Sequence, residues 1–200
     1  MSGPSSLLRV GAMQARVIDK SPEAPSRATR AELAQPVDSG DFETINEGVS
    51  GTPRGSAWRA VKTQIIHEDE GYQLKEADAP WYGTQALILR PRAVQEMLPL
   101  LTGHAELLPL DCDEARLVLV NPIHVVDALD EASSVIRRFK SSGGIMKIEK
   151  HVFFPDRVRG LPLFKIKSLD LSPTYIGDVF VARWNAAGLR GIDFEEVWSG

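Results

Sequence analysis

The sequence predicts an α+β fold: a largely antiparallel β-sheet with two or three short helices. Three observations carry that expectation. Most apolar runs are short and rich in β-branched residues, the mark of strands. The strands are not interleaved with helices as a doubly wound α/β chain requires. Only two segments repeat their apolar residues at the spacing of one helix face.

The chain has 200 residues, with 43% hydrophobic and 25% charged side chains. That composition excludes a wholly disordered chain and a collagen-like repeat. The greasiest stretch, 98–110, is interrupted by Pro99, Gly103, His104, Glu106 and Pro109, so a spanning helix is not expected. Residues 1–40 are expected to be a flexible segment, and residues 41–200 the α+β domain. The first 55 residues hold seven Ser, six Gly, five Pro and a single aromatic, Phe42. Little there offsets the entropy of ordering. Within it a short strand over 15–19 and a helical turn over 27–34 are candidates, and Met13 is an alternative start.

The first helix is expected over 91–101. Pro91 suits the first turn, where its missing N–H is no loss, and Val94, Met97, Leu98 and Leu101 form a one-sided stripe. The second is expected over 179–187, with Asp178 as N-cap, Phe180, Trp184 and Ala187 on one face, and Gly188 as the left-handed exit. Strands are expected over 86–89, 117–120, 125–127, 145–154, 163–166, 174–176 and 192–197. In 145–154 the mostly apolar set Met146, Ile148, Lys150, Val152 and Phe154 alternates with the mostly polar set Ile145, Lys147, Glu149, His151 and Phe153. Gly143-Gly144 reads as the bend that precedes this strand.

Charge is unevenly spread. Residues 56–131 hold 6 basic and 13 acidic residues, whereas 132–167 hold 9 basic and 2 acidic. Opposite blocks of this kind either pair across a sheet or present a face to a partner. The overall charge of −4 argues against a nucleic-acid binder. One cysteine, Cys112, excludes an internal disulfide and a multi-thiolate zinc site. Its acidic neighbours Asp111, Asp113 and Glu114 oppose thiolate formation. The four histidines lie too far apart for a helical metal pair, so no metal and no cofactor is expected. Neither a phosphate-binding glycine loop nor a nucleophile elbow is present, and the basic stretch 137–140 reads as a solvated loop.

The C-terminal third carries a recurring order of motifs. Leu163-Phe164-Lys165-Ile166 is followed by Ser172-Pro173-Thr174-Tyr175-Ile176-Gly177-Asp178-Val179-Phe180. Then comes Ala186-Ala187-Gly188-Leu189-Arg190-Gly191-Ile192-Asp193-Phe194-Glu195-Glu196-Val197-Trp198. This order resembles a family of bacterial immunity proteins encoded beside polymorphic toxins. Asp41-Phe42, Trp81 and Asn121-Pro122 are compatible with it further upstream, so the resemblance spans about 41–200. It implies a cytoplasmic protein that neutralises a cognate toxin by forming a stoichiometric complex. Such a protein has no catalytic residues and no cofactor, and it does not bind nucleic acid or membrane. Many such toxins are basic nuclease domains, and an acidic face suits one. Glu68, Asp69, Glu70, Asp111, Asp113 and Glu114 are therefore the candidate partner-binding residues. Two other readings remain open at this point: a small hydrolase-type enzyme using a carboxylate and a histidine, and a non-catalytic adaptor module.

Overall fold

The computed structural model describes residues 11–16, 31–83, 85–169 and 172–200. It is α+β and mostly sheet. A five-stranded sheet runs in the order β14 (Asp193–Ser199), β1 (Gly11–Arg16), β13 (Tyr175–Gly177), β12 (Leu163–Ile166), β9 (Val125–Val126). All its pairings are antiparallel except that of β12 with β9. A three-stranded antiparallel sheet has β8 (Leu117–Pro122) at its centre, between β6 (Leu87–Leu89) and β7 (Ala105–Leu110). Three antiparallel pairs complete the strands. They are β2 (Leu33–Pro36) with β3 (Thr63–Ile66), β4 (Glu68–Asp69) with β5 (Tyr72–Gln73), and β10 (Val135–Arg138) with β11 (Ile145–Lys150). The helices are α1 (Asp41–Gly48), α2 (Pro91–Leu101), α3 (Pro155–Val158) and α4 (Asp178–Ala186).

The period of two in the strands sorts the core into layers. Leu117 and Leu119 of β8 enter one cluster with Ile88, Leu108, Ile45 and Ile65. Val118 and Val120, one residue out of phase, face another cluster with Leu87 and Leu89. That second layer takes Met97 and Leu101 of α2, Phe180 and Trp184 of α4, and Leu163 and Ile176 of the larger sheet. On the far side of the larger sheet, Phe164, Ile166 and Tyr175 join Phe153 and Leu129. β6, β8, β12 and β13 are thus buried on both faces, which is why they read as nearly unbroken apolar runs.

Both expected helices form, with differences. In α2 the buried line is Ala93, Met97 and Leu101, whereas Leu98 is 48% exposed. The stripe is rotated from the one the apolar residues suggest, because the side that meets α4 can accept the small Ala93. In α4, Phe180 and Trp184 are buried and Gly188 has φ +60°. Asp178 is not the N-cap; it is the first helical residue, and Gly177 occupies the cap position in an extended conformation without a side-chain hydrogen bond. An acidic residue in the first turn still complements the helix dipole.

The strand expected over 145–154 stops at Lys150; Phe153 makes only an isolated bridge to Leu129. Met146 and Phe154 are exposed, so the alternation there does not mark a buried face. It belongs to a hairpin whose partner, β10, includes Arg137 and Arg138, residues expected in a loop. The bend between them does use Gly143, at φ +71°. Within the span 1–40, Gly11–Arg16 and Leu33–Pro36 are strands. The part of the candidate strand beyond Arg16 lies outside the described residues. So does the 27–30 part of the candidate helical turn. Its remainder is extended, because Leu33 and Ala34 pair with Ile66 and Ile65.

Candidate interaction surface

The six candidate acids lie on two short segments that a single strand holds together. β3 alternates in burial, with Thr63 and Ile65 facing the core. Its two ends are tied down by Lys62 and His67. Thr63 N–H donates to the Asp111 carbonyl at 2.7 Å, and Asp111 N–H donates to Val61 at 2.9 Å. These bonds bring the turn after β7 alongside the start of β3. Lys62 Nζ then reaches Asp113 at 2.8 Å and Asp111 at 3.7 Å. The hydrogen bond that Lys62 donates to Asp113 raises the Lys62 pKa, with the Asp111 charge adding to it.

At the other end, His67 Nε2 lies 2.8 Å from Glu114 Oε2, and this hydrogen bond holds the Glu114 carboxyl below its usual range. His67 Nδ1 is 3.8 Å from Glu32, a carboxylate that is 1% exposed and accepts from Arg90 at 2.6 Å. The chain then enters the β4–β5 hairpin. Glu68 pairs with Gln73 in register and through its side chain at 2.7 Å, and Asp69 pairs with Tyr72. The connecting residues Glu70 and Gly71 both have positive φ, 49° and 79°. A two-residue turn of this sign matches the twist of the flanking strands.

All six carboxylates are therefore on adjoining segments, and five of the six residues are exposed, with Asp69 half-buried. Lys62 stands among them, and the Arg90 charge also acts on Glu114. A cluster of this composition keeps a negative field over its surface, and salt screens it over roughly 8–10 Å. Sequence reasoning missed Lys62 and His67. Lys62 and Asp113 are 51 residues apart, and only the fold brings them together.

The other histidines also find partners. His104 Nδ1 and His124 Nε2 are 2.9 Å apart, and burial together with the neighbouring His104 lowers the His124 pKa. His151 lies 3.1 Å from the Tyr175 hydroxyl, and burial lowers its pKa. Among the described residues, no group of three His, Cys, Asp or Glu side chains comes together to hold a metal. Cys112 packs half-buried against the cluster around Leu119, as a small hydrophobe does. No helix among the described residues is long and apolar enough to cross a membrane.

The C-terminal motif residues are placed by packing. Tyr175 and Ile176 lie on opposite faces of β13, Phe180 and Trp184 stack at 6.0 Å between ring centroids, and Trp198 packs edge-on to Phe153. These are fold-determining contacts, and the comparison with known families falls on the same part of the chain. Residues 115–199 match the model of an immunity protein family, Imm11. No curated protein matches the chain. The Imm11 match covers β8 through β14, with α3 and α4, and so takes in the cluster around Phe153 and Tyr175. All six candidate acids precede residue 115 and lie outside it.

Proposed function

We propose that this protein is an immunity protein that binds a cognate toxin in the cytoplasm of the producing cell and neutralises it by stoichiometric complex formation, without catalysis. The observation that carries this reading is the match of residues 115–199 to an immunity protein family. The acidic surface formed by Glu68, Asp69, Glu70, Asp111, Asp113 and Glu114 is the proposed docking face. The proposed partner is a basic toxin domain, such as a nuclease. A negative face speeds encounter with a positive one, and a few buried contacts then set the lifetime of the complex.

The geometry favours binding over a hydrolase. The closest carboxylate–histidine pair of this surface, His67 with Glu114, has both side chains more than half exposed. It lies on an open surface, not in a water-excluding cleft of the kind that acid–base chemistry exploits.

Titration of the toxin encoded beside this gene tests the reading. Inhibition is expected to saturate at a fixed molar ratio; turnover of the toxin or its product at substoichiometric amounts refutes it. Reversing all six charges is expected to slow association by roughly tenfold or more at low salt. Unchanged toxin affinity and rate would remove the acidic face from the proposal and leave the stoichiometry to be judged on its own.

A further inference from the structure

A second site lies beside β12. There, a cavity of about 200 Å³ is lined by Asn46, Ser50, Gln85, Ser172, Lys165 and Lys167, together with apolar side chains. β12 sends Leu163 into the cluster shared with α2 and α4, and Phe164 and Ile166 into the opposite one. Lys165 therefore shares the face of Leu163, at a position where a strand of this kind ordinarily carries an apolar residue. It is 3% exposed.

The Lys165 ammonium donates to the carbonyl of Ser172 at 2.6 Å and to that of Gln85 at 3.0 Å. An ammonium has three N–H groups. Among the described residues, nothing accepts the third, and no carboxylate stands within ion-pair distance. A buried cation is ordinarily matched by a counter-charge. Among the described residues, the other charged side chain lining the cavity, Lys167, is also positive.

We propose that this cavity is a binding site for a small oxyanion, a carboxylate or a phosphate, held by the third N–H of Lys165, with Lys167 at its exposed rim. The volume suits that class. It exceeds the roughly 30 Å³ of one water and falls below the roughly 300 Å³ at which pockets for drug-sized ligands begin. Ser50, Asn46 and Gln85 supply the polar groups a desolvated anion needs, and no carboxylate among the described lining residues repels it. Burial lowers the Lys165 pKa to about 7. The bound anion restores the protonated amine, so binding takes up a proton and weakens by about tenfold for each pH unit above that value.

The test uses the full chain with ¹³C-labelled lysine, followed by NMR at the Cε carbons. It is titrated with inorganic phosphate and with acetate at constant ionic strength, against chloride. One lysine is expected to titrate near neutrality, and its midpoint is expected to rise by about one pH unit when the anion exceeds its Kd tenfold. The other lysines should not move. Lys165→Met should delete that resonance and the anion response together. Should that variant fail to fold, Lys167→Met keeps the low-titrating lysine while weakening the anion several-fold. A response to phosphate alone assigns a phosphate site, and a response to acetate assigns a carboxylate site. The proposal is overturned if no lysine titrates far below the others, or if the midpoint of that lysine ignores both anions. Neither result touches toxin binding, which rests on a different surface.

Discussion

Gly191 offers a prediction whose size follows from local geometry. Arg190 N–H donates to Asp78 Oδ2 at 2.9 Å, and Ala79 N–H donates to the Arg190 carbonyl at 3.1 Å. These bonds draw the segment before β14 against residues 77–79. A Cβ on Gly191 would lie 2.3 Å from the Ala79 carbonyl oxygen and 2.8 Å from the Ala77 Cβ, and the residue has φ +107°. Gly191→Ala therefore combines crowding, about 1–3 kcal/mol, with an unfavourable backbone, about 1–2 kcal/mol. Two neighbours separate these effects. Gly188 has φ +60° but nothing within 4 Å of its added Cβ, so Gly188→Ala carries only the backbone cost. Gly177 has an ordinary φ of −84°, but its added Cβ would meet the Leu161 carbonyl oxygen at 2.2 Å, so Gly177→Ala carries only crowding. Urea unfolding of the three variants should place Gly191→Ala lowest, about 2–5 kcal/mol below the parent. For a chain of this length that corresponds to a Tm loss of about 4–20 °C. If Gly191→Ala matches Gly188→Ala, the close approach to Ala79 does not constrain the fold and the reasoning fails.

Three further predictions rest on buried charge. Glu32→Ala leaves Arg90, 19% exposed, without its main counter-charge, and should cost roughly 2–4 kcal/mol in denaturant unfolding; adding Arg90→Met should recover part of it. Burial depresses the folded Lys165 pKa from 10.5 to about 7, so between these values the unfolded chain holds more protons. Stability should therefore rise with pH across that window, by at most about 1.4 kcal/mol per pH unit, and the rise should vanish in Lys165→Met. A flat unfolding midpoint from pH 7 to pH 10 would contradict it. His124 and His151 have folded pKa values below their ordinary 6.5, through burial in both and the neighbouring His104 for the former. The unfolded chain protonates them first, so stability should fall as pH drops below about 6.5. Replacing both with Asn should reduce that acid sensitivity.

The sequence made legible those elements whose local signals agree. α2 has a proline start and a one-sided stripe, and α4 has paired aromatics and a glycine exit, so both were readable within a residue or two. The strand expected over 163–166 matches β12. What escaped depends on distant partners. β2 and β3 lack strong patterns alone and hold each other in register. α1 buries only Ile45 and Gly48, too few for a stripe to show. The hairpin of Glu70 and Gly71 carries a signal that could have been found, since Gly at the second turn position favours this geometry. At the candidate surface, the six acids were visible as runs of charge. Their convergence was not, because it depends on Lys62 and His67 flanking one strand. In the sequence Lys165 is one position of a short strand motif. Its burial follows from the phase of β12 between two cores, which no single segment reveals.

The division of labour along the chain gives the proposed binding mechanism its physical logic. The part that matches the immunity family model supplies four of the five strands of the larger sheet and the cluster around Phe153 and Tyr175, where substitutions disturb packing at several kilocalories per mole. The six carboxylates sit on short exposed segments beyond it, where a reversal changes stability by about 0.5 kcal/mol or less. The exceptions are Asp111 and Asp113, whose reversal would leave Lys62 facing a like charge, and Glu114, whose reversal would take away the carboxylate that His67 contacts. Glu68 hydrogen-bonds the neutral Gln73 side chain, and neither it nor Asp69 takes part in an ion pair among the described residues, so reversing these two alters the surface field with the least effect on the fold. A chain organised this way can change which charged surface it prefers without rebuilding its core. The Glu68–Asp69 double reversal is therefore the variant in which recognition and folding come apart most cleanly.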